Sequence, residues 1–446
     1  MTIILNIEKI IKDFVFKHLD LTKGLLVALS GGPDSLALLM GLSKIPGLTL
    51  AVAHVDHGWR ESSSREAVYL EEISKSLGYS FHLKVLDSND FSGNLENYCR
   101  ESRYSFFYDL IKKYDYQGVV LGHHADDQIE TVLKRILEGS HLTKLSGIES
   151  IKSLGGLKLF RPLLTIPKKS LSAYIKLFSY EPVIDSTNED LSFLRARMRL
   201  KLLPSLQLYF GKNIQSSLMK ISEEARELTL YLDEKIHIYL SKIVFGPMGI
   251  YLDLSQEKPS HLYEMKYLIK KIAESINLSL PKKIIENLCL LINSGVANKK
   301  IFFEGVEICV DRGFVFFLNE TQIELPKNQT LILGMQKFGP WKIAIEEIKE
   351  EGLPVENKTG WKNAWKGELS VCIPKEEYFF STYIPNYRYK NKGSISKWLG
   401  DNKVPMCLRP YIPMLVQDNL VKFEFLTEKK HFDHAQTNLI KIRFQL

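Results

Sequence analysis

The sequence predicts an α/β protein: a doubly wound parallel sheet in the N-terminal domain, then a mainly helical middle domain and a small β-rich C-terminal domain. Three observations carry this. Buried-strand and amphipathic-helix patterns alternate along the first two hundred residues. Helical periodicity dominates from about residue 167 to 297. The remainder is aromatic, turn-rich and short of helical stripes. The expected boundaries are 1–205, 206–325 and 326–446.

Each element has its own signal. The start, "TIILNIEKIIKDFVFKHL", reads as an amphipathic helix carrying acids, without the basic region and small-residue cleavage site of a signal peptide. "GLLVAL" is a buried strand, followed by a helix from about Asp34 to Lys44. "LTLAVAHV" (48–55) is a second buried strand. In "SREAVYLEEISKSLG", Ala67, Leu70, Ile73 and Leu77 form one stripe that stops at Gly78. "SFHLKV" is a strand, 94–114 a long helix, "GVVLG" (118–122) a strand and "DDQIETVLKRILEG" a helix. Farther on, "KIFFEGVEICVDRGFVFFL" (300–318) reads as a hairpin and "NETQIELPKNQT" as a linker.

Composition narrows the function classes. The chain has 446 residues, 45% hydrophobic and 25% charged, with a formal net charge of +7. From Ser381 to Leu446 there are eleven Lys and Arg against five Asp and Glu, so the C-terminal end holds nearly all the excess. That suits a polyanionic partner, with a solvated basic surface as the competing explanation. Cys99, Cys289, Cys309, Cys372 and Cys407 lie far apart with no C-x-x-C pair, which argues for buried thiols in a reducing compartment. No apolar run is long enough to span a bilayer. A cytoplasmic location and no membrane partner are expected.

Three polar motifs fall at carboxyl ends of predicted strands, where open parallel sheets bind ligands: "SGGPDS", "HVDHG" and "GHHADD". In the first, Gly31 and Gly32 permit close backbone approach, Pro33 suits a first helical turn, and Ser30 and Ser35 supply hydroxyls. Strand, Gly-rich turn and helix N-terminus make a phosphate site. Asp34 sits badly beside a bare phosphate, which implies Mg²⁺ between them. The Gly-Lys-Ser/Thr ending of a Walker A loop is absent, which disfavours transfer of a γ-phosphate. A tight turn for its own sake would explain the glycines but not Asp34 between two serines.

"SGGPDS" resembles the loop of the ATP pyrophosphatases, which cleave ATP between its α and β phosphates. "HVDHGWR" adds His54, Asp56, His57, Gly58 and Arg60; "NLENYCRESRY" adds Asn94, Glu96, Arg100, Arg103 and Tyr104; "GHHADDQIET" adds His123, His124, Asp126, Asp127, Glu130 and Thr131. With "RPLL" (161–164), "DSTN" (185–188), "RARMRLKLLP" (195–204) and "KGSISKWLGDNKVPMCLRPYIPMLV" (392–416), this ordered set resembles the tRNA(Ile)-lysidine synthetase family. The resemblance implies a ligase that adenylates the wobble cytidine of tRNA(Ile) with anticodon CAU, then lets L-lysine displace AMP. It implies ATP and Mg²⁺ as cofactors. Ser30, Gly31, Gly32, Pro33, Asp34, Ser35, His54, His57 and Arg103 are expected at ATP, with Asp34 carrying the metal. Asp127 and Glu130, three apart on one helical face, are expected to hold lysine and to join Asp34, Arg195 and Arg199 in catalysis. Lys390, Lys392, Lys397, Lys403 and Arg409 are expected at tRNA. Homodimerisation is left open.

Departures from the family pattern are His141 and Lys144 in a loop where glycines are expected, Ser186 and Thr187 in "DSTN", and Ala196 where asparagine is usual. Rival readings are a tRNA thiolation enzyme, which usually needs paired cysteines, and a two-metal phosphohydrolase using "HVDH" and "HHADD". A non-enzymatic RNA-binding protein is the third.

Overall fold

The computed structural model describes residues 2–58, 63–86, 95–183, 190–319, 328–339, 341–348, 358–389, 392–417, 420–428 and 439–445. Arg60, Asn94, "DSTN" and Lys390 lie outside them. The contacts divide the chain into two compact units, Met1–Leu230 and Tyr231–Leu446. This division falls elsewhere than the expected 205/206 and 325/326.

The first unit begins with α1 (Thr2–His18), β1 (Leu25–Ala28), α2 (Pro33–Ser43), β2 (Leu50–Asp56), α3 (Ser63–Ser76) and β3 (Ser80–Val85). It continues with α4 (Leu95–Tyr114), β4 (Val119–Val120), α5 (Ala125–Leu137), β5 (Ile151–Leu154), β6 (Leu157–Phe160) and α6 (Lys168–Ile175). The sheet order is β3-β2-β1-β4-β6-β5. All neighbours are parallel except the edge pair β5–β6, with Leu25 opposite Leu50 and Leu26 opposite Val119 setting the register. The strand order reverses between β1 and β4, where doubly wound sheets open a ligand crevice. Leu25, Leu26 and Val27 are fully buried because helices cover both faces.

The β5–β6 hairpin has no counterpart in the strand–helix alternation. Gly155 and Gly156 turn it, both at positive φ, as a two-residue hairpin of this twist requires. At Gly118 the backbone passes so close to β6 that a Cβ would stand 2.5 Å from Phe160 and 2.6 Å from the Lys158 carbonyl oxygen. Gly118→Ala is therefore expected to destabilise the protein by about 1–3 kcal/mol, the usual range for overpacking, measurable as a lowered Tm. An unchanged Tm would show that the strands part easily there.

After α6 come α7 (Leu194–Arg197), a π turn (Met198–Leu202), α8 (Leu203–Phe210) and α9 (Ile214–Leu240), within which the division of units falls. Ala196 is 5% exposed, so this departure fills a buried position with a small apolar side chain.

In the second unit, β7 (Val244–Gly246) and β8 (Gly249–Asp253) interrupt what the sequence suggests is continuous helix. They are followed by α10 (Leu262–Ser275) and α11 (Lys282–Ser294). The expected hairpin at 300–318 is three strands, β9 (Lys299–Phe303), β10 (Val306–Asp311) and β11 (Phe314–Asn319). Glu304-Gly305 and Arg312-Gly313 both have two consecutive positive φ values, so each is a tight turn and the segment folds back twice. These strands join β7 and β8 in one sheet, ordered β7-β8-β11-β10-β9.

Among its described residues the C-terminal part has a five-stranded and a four-stranded sheet, and its core includes Trp341, Trp365, Phe380, Phe423, Phe425 and Phe444. The same core takes in Tyr251, Cys309 and Phe316 from the preceding sheet. Tyr251 and Trp365 rings are 5.3 Å apart, edge to face. The five cysteines are all buried thiols, as the composition suggested. Among the described residues, no helix is long and apolar enough to cross a membrane.

Candidate active site

The turn between β1 and α2 is built to leave amides available. Gly31 has φ +84°, and a Cβ there would stand 2.9 Å from Val183. Gly32 is the N-cap of α2 and offers no side chain, so the first helical N–H groups are not capped from within. Ser35 Oγ donates to the Gly32 carbonyl at 3.0 Å and lies 3.1 Å from Ser30 Oγ, which holds the turn in shape. Gly122, after β4, lets the next strand end approach; a Cβ would stand 3.2 Å from Ser35 Cα.

Beside this turn lies a cavity of about 380 Å³ at the carboxyl ends of β1, β2 and β4. Its lining includes Ser30, Asp34, Ser35, His54, Asp56, His57, Arg103, His123 and Asp127. Burial lowers the pKa of His54, against the opposing pull of its bond to Leu29. Neutral His54 donates from Nδ1 to the Leu29 carbonyl at 2.8 Å, so Nε2 is an acceptor. Asp56 accepts from the Gly58 amide at 2.8 Å, and Arg103 Nη2 approaches His57 Nε2 at 3.3 Å.

The start of α5 supplies the charges. His124 is its N-cap, and its amide donates to Asp127 Oδ2 at 3.0 Å. Its ring Nε2 lies 3.4 Å from both Asp34 Oδ2 and Asp127 Oδ2. Burial opposes charge on His124, but the bond to Asp34 and the nearby Asp127 and Asp126 carboxylates raise its pKa overall. Its neighbour His123 goes the other way: burial, aided by Arg161 and Arg195, pushes it down to about 4 against the pull of Asp127. The two adjacent histidines are thus shifted in opposite directions. Asp34 Oδ1 is buried without a hydrogen-bond partner, an energetically poor arrangement unless a cation meets it. This orphaned carboxylate oxygen fits a ligand to a magnesium ion, which would supply positive charge beside the open amides.

Glu130 differs from the expectation that it stands ready for a ligand. It is 2% exposed and bound by Arg199 through two bonds, Nε–Oε1 at 2.7 Å and Nη2–Oε2 at 3.2 Å. Nε and Nη2 of Arg199 are thus engaged by the Glu130 carboxylate, and Nη2 also stands 3.9 Å from Asp127. Both line a second cavity, of about 440 Å³, with Asp126, Leu203 and Leu208. Arg195 is exposed on α7.

One residue escaped sequence reasoning. Lys168 opens α6, its amide donates to Asp126 Oδ1 at 3.1 Å, and its Nζ is 3.9 Å from Asp34 Oδ2. The available signal was a lysine just after Pro167, at a helix start following "RPLL". The loop carrying His141 and Lys144 is pinned despite its missing glycines. His141 caps the 3₁₀ turn Leu142–Ser146, Gln128 bonds Ser146 and Ile148, and Arg135 donates to the Lys144 and Gly147 carbonyls.

In the second unit, Lys392, Lys397 and Lys403 are exposed. Arg409 is not. It is 5% exposed and donates to the Val404 carbonyl at 2.8 Å and that of Ser396 at 3.4 Å, so it braces α12 (Ile395–Asp401) and the turn after it and is withdrawn from the expected tRNA contacts.

Residues 2–206 match the model of the PP-loop domain family. Over 95% of its length the chain is 35% identical to a tRNA(Ile)-lysidine synthase of Protochlamydia amoebophila, covering 93% of that protein. It is 43% identical to one from Chlamydia pneumoniae over 61% of this chain and 86% of that one. Among solved structures, the U34-tRNA thiolase NcsA of Methanococcus maripaludis matches at 18% identity and a TM-score of 0.41, over 50% of this chain and 79% of that one.

Proposed function

The chain belongs to the tRNA(Ile)-lysidine synthase family and is an AMP-forming, tRNA-modifying ligase; on that footing we propose how its residues divide the work. The reading rests on one observation above all: the orphaned Asp34 oxygen beside the uncapped N-terminus of α2. Asp34 would hold Mg²⁺, which would supply positive charge to offset that of the pyrophosphate. The α2 amides and Lys168 would bind the phosphates, while Ser30, His54, His57 and Arg103 line the space for the nucleoside. Adenylation converts the C2 oxygen of the wobble cytidine into a good leaving group. The lysine amine then forms the C2–N bond, the C2–O bond to AMP breaks, and Asp127 takes the proton. Asp126, Asp127 and the Glu130–Arg199 pair would set the field that draws a cationic amino acid. ATP, lysine and tRNA are cytoplasmic solutes, and we place the enzyme there.

Lys392, Lys397 and Lys403, with Lys390, would contact tRNA phosphates. Each neutralised phosphate releases counterions, so a plot of log affinity against log salt should flatten by about 0.7–0.9 per lost contact. The full-length Lys392→Ala/Lys397→Ala/Lys403→Ala variant is expected to lose about two units of slope while ATP affinity is unchanged. Cutting the chain near residue 328 is the poorer test, because it would strip Trp365 from Tyr251. An unaltered slope would remove these lysines from the interface.

A further inference from the structure

We propose that residues 193–212 form the seat of the unpaired anticodon-loop bases, with Tyr209 and Phe210 as stacking platforms beside the cavity that Glu130 and Arg199 line. This rests on the ligase reading above and adds where, and by what chemistry, the substrate loop is held.

The last turn of α8 exposes three large apolar side chains in a row, Leu208 at 77%, Tyr209 at 84% and Phe210 at 67%. Phe193 and Leu194, at the start of α7, are exposed at 45% and 46%. Single exposed apolar residues are ordinary, but a contiguous aromatic run marks a contact surface. Its charge tells which kind. From Leu194 to Lys212 there are five Lys and Arg and no Asp or Glu. Two of the five are occupied, Arg199 by Glu130 and Arg197 by the Leu191 and Ser192 carbonyls. Among the described residues, no carboxylate pairs with exposed Arg195, Lys201 or Lys212.

A second copy of this chain is the other conceivable cover. A two-fold contact would set the patch against itself and bring like charges together with no acid to offset them. Single-stranded RNA suits both features, since unstacked bases offer π faces to Tyr and Phe while phosphates meet Lys and Arg. A duplex keeps its bases inside and could use only the cations. The position fits too, because Leu208 and Leu203 of α8 line the same cavity as Glu130 and Arg199.

The test uses the full chain and a stem–loop RNA carrying the CAU anticodon, with the same stem as a plain duplex for comparison. Tyr209→Ala/Phe210→Ala should weaken stem–loop binding about tenfold to a hundredfold, the loss expected for a stacked base, and leave duplex binding and ATP affinity alone. Tyr209→Phe with Phe210→Trp should restore it. Lys201→Glu/Lys212→Glu should flatten the salt dependence. Unchanged stem–loop affinity in the double alanine variant overturns the proposal. So does a shift to smaller oligomers in light scattering without any loss of RNA affinity, which would assign the patch to a second copy. Lysine incorporation into tRNA by the wild type reads the ligase assignment separately, so the two ideas fail independently.

Discussion

Asp34→Ala is expected to abolish turnover, lowering tRNA-dependent release of AMP and pyrophosphate by about 10³-fold or more, while the protein stays folded. The size follows from the ion that Asp34 would anchor: a bound metal stabilises several kcal/mol of developing charge, and about 4 kcal/mol corresponds to roughly three decades of rate. The fold should survive because Asp34 projects from the first turn of α2 with its side chain 20% exposed, outside the packed face of Leu36 and Leu39. Removing it also takes one carboxylate from His124, which should lower the histidine's pKa toward its ordinary value without disturbing the cap on Asp127. The assay separates nucleotide products chromatographically in the presence of tRNA and lysine. Release of ADP and orthophosphate by the wild type would sink the assignment of cleavage between the α and β phosphates.

The site was legible where chemistry and topology coincide in a short segment. Ser30 to Ser35, His54 to His57 and His123 to Asp127 each follow a buried strand, and parallel strands deliver their carboxyl ends to one crevice. The middle of the chain was less legible because local turn geometry outweighed periodicity. Gly246 to Gly249 breaks a helical pattern, and the non-glycine residues Glu304 and Arg312 adopt positive φ, so their turns carry only half the usual glycine signal. Arg409 reads as a basic residue among prolines and aromatics, and composition gives no hint that its guanidinium turns inward onto Val404. The Glu130–Arg199 pair was hidden for a different reason. Spacing places Glu130 beside Asp127 on α5, yet its partner is 69 residues away, and no pattern within one helix records that.

That pair gives the second large expected effect. Glu130→Gln should raise the KM for lysine about a hundredfold while ATP-dependent adenylation of tRNA falls only a few-fold. Gln keeps the volume of the buried side chain but removes its charge, leaving the Arg199 guanidinium unneutralised 3.9 Å from Asp127. A cationic amine arriving within about 6 Å then meets one extra positive charge, about 3 kcal/mol at an effective dielectric constant of about 20. Loss of lysine use through misfolding would look similar, and the partner variant tells them apart. Arg199→Ala strands a carboxylate that is 2% exposed, and breaking a buried pair from one side costs about 3–5 kcal/mol, so its Tm should fall sharply. Glu130→Gln/Arg199→Gln leaves no uncompensated charge and should regain most of that Tm. If the local field rather than bulk stability governs the amino acid, the double variant should also recover part of its lysine affinity, because Asp126 and Asp127 again face no surplus cation. Competition with arginine and ornithine reads the choice of side chain. A Glu130→Gln enzyme with wild-type KM for lysine would show that these carboxylates do not form the amino-acid site.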